Sequence, residues 1–340
     1  MKEKYRTIGI ASVMHMGIDF LCAFSLYHHF TSFTDAFLLY NFCAFALQLP
    51  FGIVLDYLMK EKKRSFLPSY LLTVTGVLLT ILGTLIHPVV LGIGNAFFHV
   101  GGGVLSIHED DHYQFRGRGL GTFVAPGAIG LILGTLYHDT ASYTLIFVLV
   151  SILLGLLSGL LWNERNERVF YSKPIEMKRE RLAIVLLAAF LVVILRSLSG
   201  MAISFAWKQG PLLIFLSVLC LACGKTAGGF LSASFGMKKT VVFTLLISAL
   251  CYFLGEKLFF GLSGLFFFNM TMPLTLYLCA KVLPYYPGTA FGILTFGLFL
   301  GYLPVLYGFL RNIPPSPAGV IVSLVSLVLL YIAADLYERE

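Results

Sequence analysis

Two pairs of side chains, each four residues apart, hold most of the chemistry open to this sequence. His15 and Asp19 stand in one apolar run, and Asn95 and His99 in another. A spacing of i, i+4 places each pair on one helical face. An imidazole titrates near neutrality, and burial and neighbouring cations set where a carboxyl titrates, so such a cluster can take up and release a proton. Asp19, His15 and His99 are therefore the candidate proton carriers. Arg196 lies in a third apolar run, where an unpaired guanidinium suits a carboxylate or phosphate. Asn95 and Asn269 add hydrogen-bonding groups, which makes Arg196, Asn95 and Asn269 the candidate substrate-binding set. Two further patterns look chemical. His108-Glu109-Asp110-Asp111-His112 matches H-E-x-x-H, which on a helix presents two zinc ligands and a general base. With two adjacent Asp residues and no evident third ligand, it reads as an acidic, solvated loop tip, leaving a membrane zinc hydrolase as a minor alternative. Cys220 and Cys223 form C-x-x-C inside an apolar run, where small buried hydrophobes are expected.

The elements that hold these residues follow from composition. The chain has 340 residues, 58% hydrophobic and only 12% charged, with a mean hydropathy of +0.87. A soluble domain has about 25% charged residues. This excludes a cytosolic enzyme, a secreted disulfide scaffold and a disordered chain. It predicts an all-α polytopic membrane protein. Apolar runs give twelve spans, numbered 1 to 12, near 7–29, 34–58, 67–86, 89–108, 118–137, 142–162, 182–206, 210–234, 240–256, 258–282, 287–310 and 317–336. The longest connection, Asn163 to Arg181, is rich in charge. It separates a six-helix bundle over 1–162 from a second over 182–340, with 163–181 as a linker loop. No room remains for a soluble domain.

The net charge of +7 has a topological origin. Of the 24 Lys and Arg, 19 fall on one side of the spans and 3 on the other; Arg196 and Lys225 lie within spans. The positive-inside rule then puts both termini in the cytoplasm, with the protein integral to the cytoplasmic (inner) membrane. A nucleic-acid role is not expected. Lys225 is expected to snorkel to the cytoplasmic interface.

The halves echo each other. Gly52 maps on Gly229, Asn95 on Asn269, and Gly121 and Gly130 on Gly292 and Gly301 at offsets between 171 and 177, with Asp19 opposite Arg196. Parallel six-span repeats are a transporter architecture with substrate held near the midplane between halves. Gly127, Gly130 and Gly134 share a face of span 5 and allow close backbone approach; they are the glycines two sliding bundles would need.

These features resemble the major facilitator superfamily. Gly52, Asp56, Lys60, Lys62, Lys63 and Arg64 after span 2 are similar to its loop signature of a glycine, an acid and a basic cluster; the second copy keeps Gly229, Gly236, Lys238 and Lys239 but has Ala233 in place of the acid. The span 5 stretch from Arg116 to Gly134 is similar to the antiporter-type Gly/Pro motif. H-M-G-I-D at 15–19 and G-N-A-F-F-H at 94–99 look like the branch that contains fosmidomycin-resistance-type exporters. The resemblance implies a cavity lined by spans 1, 4, 7 and 10, which hold the unusual polar residues. It implies that Gly52, Asp56, Lys63, Arg64 and the span 5 glycines take part in gating. It also implies a secondary active transporter working by alternating access, with proton-coupled export of a drug or metabolite as the first reading. Uptake of a small organic anion on Arg196 is the alternative. The expected partners are a small-molecule substrate, protons and the lipid bilayer. A monomer is expected, without cofactor, resident metal or enzymatic activity.

Overall fold

The computed structural model describes residues 5–31, 35–61, 65–165, 176–310 and 313–340. All twelve spans are helical: Arg6–His29, Ala36–Glu61, Leu67–Ile86, Pro88–His112, Arg118–Tyr137, Tyr143–Asn163, Arg179–Ala202, Gly210–Phe235, Met237–Phe253, Leu258–Val282, Pro287–Leu306 and Pro315–Glu338. Eleven are 20 to 26 residues long and span 9 has 17, enough to cross about 25 Å of hydrocarbon at 1.5 Å per residue. Proline in the first turn opens spans 3, 4, 8, 11 and 12, where the missing N–H has no intrahelical partner to lose. Gly236, at φ +88°, makes the single-residue turn from span 8 into span 9.

The helices form two pseudo-symmetric six-helix bundles. The first is cored by Met14, Ile18, Leu21, Phe98, Leu154 and Leu161. The second is cored by Val185, Val192, Val241, Leu245, Tyr252 and Leu330. A third cluster joins them, with Leu120, Phe123 and Val124 against Ala189, Val193, Leu276, Phe291 and Leu294. Span 4 is the most enclosed, with 78% of its apolar stretch buried, against 17% for span 6. Leu85, Leu156, Phe253 and Phe259 point outward, as a lipid-facing belt requires.

Two spans are not continuous α-helix. Span 2 carries a π turn over Phe42–Ala46, where Leu47 N–H reaches the Phe42 carbonyl at 3.2 Å. Span 10 breaks between Leu258–Asn269 and Thr271–Val282. Pro273 supplies the cause: it has no N–H for the Asn269 carbonyl. The break therefore falls at the polar residue of that span, as in transporters whose sites use discontinuous helices.

The run His108–His112 corrects the expected loop tip. It is the last turn of span 4, with His108, Glu109 and Asp110 buried. Asp110 Oδ1 and Oδ2 accept from Gly117 N–H at 3.1 and 2.8 Å, and Oδ1 from Gly119 N–H at 2.9 Å. The carboxylate thus caps the N-terminus of span 5, whose first N–H groups have no helical acceptor. His108 stacks on Phe66.

Candidate functional site

Span 5 builds the floor of the site. Pro126 lacks the N–H that would bond the Thr122 carbonyl. Ser12 Oγ of span 1 lies 3.2 Å from Thr122 O and 2.6 Å from Ile8 O, so its one hydrogen is shared between the two carbonyls. One turn on, His15 Nδ1 donates to the next carbonyl, Phe123 O, at 2.8 Å. Gly127 follows, and a Cβ there would collide with His15 Nε2 and Asp19 Oδ2. The imidazole is thereby aimed along span 1 at Asp19.

Span 4 completes the group. His99 Nδ1 donates to Asn95 O, one turn back, at 2.8 Å. His15 Nε2 lies 3.2 Å from Asp19 Oδ2, His99 Nε2 lies 3.6 Å from Asp19 Oδ1, and the two Nε2 atoms stand 2.9 Å apart. Asn95 Nδ2 donates to Asp19 Oδ1 at 3.1 Å, while Asn95 Oδ1 has no partner. His15, Asn95 and His99 are buried.

The hydrogen bonds fix the tautomer of each ring. A carbonyl only accepts, so both Nδ1 atoms carry hydrogen. In neutral rings both Nε2 atoms would then be bare lone pairs, facing each other and a carboxylate. The 2.9 Å Nε2–Nε2 contact is one that a proton or a metal cation would bridge.

The second bundle supplies a separate, positive half. Arg196 is 7% exposed, and its Nη1 and Nη2 have no partner. Asp19 pairs with His15 and His99, not with Arg196. The guanidinium lines a cavity with Ser199, Lys208, Ser217, Tyr252 and Asn269. Lys208 lies in the link between spans 7 and 8, and burial pushes its ammonium below the ordinary lysine range. Asn269, at the helix break, lines the same cavity, and its Nδ2 donates to Leu265 O at 2.8 Å.

Lys225 does not snorkel to the interface. Its Nζ crosses between bundles to Val124 O at 3.4 Å. Cys220 and Cys223 are free thiols, half-buried and exposed.

The gating candidates separate into two groups. Gly130 and Gly134 press span 5 onto the backbone of span 1 at Met16, Phe20 and Phe24, and Gly127 meets the cluster. All three contacts lie within the first bundle, not between sliding bundles as expected. Glycines at the bundle interface include Gly52 against Gly288, Gly292 against Leu49, Gly103 against the Phe291 ring, Gly121 against the Lys225 carbonyl and Gly229 against the Gly117 carbonyl. Asp56 joins them. Its Oδ1 accepts from Gly288 N–H at 2.8 Å, and its Oδ2 from Thr289 N–H and Oγ1 at 2.7 Å each. Lys281 pairs with Asp111 on the same face, which is also the face of the termini. Lys63 and Arg64 lie outside the described residues. The bundles are thus clasped on the terminal face, while the Arg196 cavity lies toward the opposite one.

Two measurements follow from this packing. Gly127→Ala should displace His15 and Asp19 and lower thermal stability by about 1–3 kcal/mol, read by a melting curve in detergent. Asp56→Ala removes three hydrogen bonds to a carboxylate, about 2 kcal/mol of closed-state stability, or a ~30-fold shift in population. Cys279, buried in the inter-bundle cluster, should then label faster with maleimide in a chain lacking the other five cysteines.

No protein-family model and no curated protein matches this sequence. Solved structures do. A variant of the E. coli fucose:proton symporter FucP superposes with a TM-score of 0.68 at 13% identity, covering 97% of this chain and 98% of that one. FucP in an outward conformation gives 0.65 at 13% identity, covering 97% and 99%. At this identity the likeness is one of fold alone, and both matches are structures of the same transporter. Twelve spans in two pseudo-symmetric bundles and the superposition over nearly the whole chain together assign it the major facilitator fold.

Proposed function

We propose that this protein is a secondary active transporter that moves a small organic anion by alternating access, coupled to a proton. The observation that carries the reading is the pairing of two unlike buried half-sites. One bundle holds a His15–His99–Asp19 cluster that needs one proton to be neutral; the other holds Arg196, a buried cation with two free Nη atoms. An unpaired guanidinium in a span is costly unless a substrate anion meets it. A carboxylate fits its fork in two hydrogen bonds, and Lys208, Ser199 and Asn269 lie round the same cavity.

The halves 1–162 and 182–340 are the moving bodies, in a monomer of the inner membrane with cytoplasmic termini. The clasp of Asp56 on span 11 holds the cytoplasmic side shut, and the cavity side faces outward. Proton-antiport export of a drug or metabolite is the second reading. It is favoured by the likeness of 15–19 and 94–99 to the fosmidomycin-resistance branch, since those two stretches supply His15, Asp19, Asn95 and His99. The test is a thermal-shift screen on the purified protein of small mono- and dicarboxylates beside neutral and cationic compounds of similar size, then flux of any hit in proteoliposomes. Stabilisation by carboxylates that is lost in Arg196→Gln supports the anion reading. Stabilisation by neutral or cationic compounds alone refutes it in favour of drug export.

A further inference from the structure

We infer that His15, His99 and Asp19 also form a binding site for a divalent transition-metal ion of the zinc or cobalt type. Among the described residues, these three place one ligand atom each within 4.8 Å of one another. Their separations of 2.9, 3.2 and 3.6 Å bracket the spacing a metal imposes. Ligands about 2.0–2.1 Å from zinc stand about 3.3 Å apart at the tetrahedral angle.

The donor set and its support fit the same ion. Two imidazoles and a carboxylate suit zinc, cobalt or iron, whereas magnesium and calcium prefer oxygen alone. Both Nδ1–H groups are held by backbone carbonyls, Phe123 O and Asn95 O, at 2.8 Å. That outer hydrogen bond fixes which nitrogen is bare and aims it at the metal. Asn95 Nδ2 holds the carboxylate in the same way at 3.1 Å. Gly127 leaves the space in front of His15 Nε2 and Asp19 Oδ2 free of a side chain. Three protein ligands leave a fourth position for water or for a donor atom of a substrate. The buried, unpartnered Asn95 Oδ1 is a further oxygen on the same wall.

The inference does not need the transport reading; it needs only three converging lone pairs. It departs from the sequence-based expectation of no metal, because i, i+4 spacing shows two ligands on one helix and not the third on another. The test uses the full-length protein in detergent, treated with chelator and titrated calorimetrically with zinc chloride, with no ion gradient present. One zinc per chain is expected. Cobalt chloride should give visible d–d absorption of a low-symmetry nitrogen–oxygen site. Magnesium and calcium chloride should give no heat of binding. His99→Gln keeps a donor for Asn95 O, and His15→Gln is its counterpart. Each should weaken zinc at least about tenfold while the protein elutes and melts as the parent does. His112→Ala should bind as the parent. Absence of zinc binding in the parent, or stoichiometric binding that survives both His15→Gln and His99→Gln, overturns the inference. A failure of flux in proteoliposomes bears on the transport reading alone.

Discussion

Asp19→Asn should abolish proton-driven accumulation while leaving substrate binding and exchange in place. Asparagine matches the size of aspartate and keeps an oxygen for the Asn95 amide, at 3.1 Å in the parent. It removes the negative charge that balances a proton on His15 and His99. Without that charge, an imidazolium at this depth has no counter-ion, and the pair takes up a proton less readily. Accumulation against a gradient should fall by at least about tenfold, the equivalent of about 1.4 kcal/mol. Exchange of labelled for unlabelled substrate at equal pH should fall far less, because Arg196 is untouched. Loss of both together would place Asp19 in substrate binding rather than coupling.

Arg196→Met should separate stability from function in the opposite direction. The parent buries a guanidinium with two unpartnered Nη atoms. A charge in the middle of a span costs about 2.5–3.5 kcal/mol by insertion scales. Methionine fills the same channel without that penalty, so the variant should melt at a higher temperature, by the equivalent of about 2–3 kcal/mol. The same change removes a bidentate hydrogen-bonding pair, each bond to a charged group contributing about 1.5–3 kcal/mol. Affinity for an anionic substrate should fall at least about 100-fold. Arg196→Lys should not restore it, because a point charge cannot make the forked contact. A protein that becomes more stable as it loses its ligand is the signature of a cation kept for binding. A destabilised Arg196→Met would instead mark a structural role.

The architecture was legible because membrane crossing leaves a coarse signal: long apolar runs, polar breaks and the bias of basic residues. His15 with Asp19, and Asn95 with His99, were readable as pairs from helical spacing. Their union was not, because it depends on the rotation of span 1 against span 4, which no periodicity within either helix sets. Asp19 and Arg196 stand at corresponding positions of the repeat, yet each bundle holds its own polar group. The role of His108–His112 was hidden for another reason. Ala233 leaves the second loop signature without its acid, and Asp110 of the first bundle supplies the cap on span 5 instead. That substitution of one carboxylate for another is visible only once spans 4 and 5 are set side by side. The break in span 10 had a signal in Pro273, four residues after Asn269, that composition alone did not weight.

The most direct measurement is flux of a carboxylate that stabilises the purified protein, into proteoliposomes with and without an imposed pH gradient. The account predicts accumulation that follows the gradient, collapses on addition of a protonophore and is absent in Asp19→Asn. Flux that is indifferent to the gradient, and equal in the parent and Asp19→Asn, would contradict it.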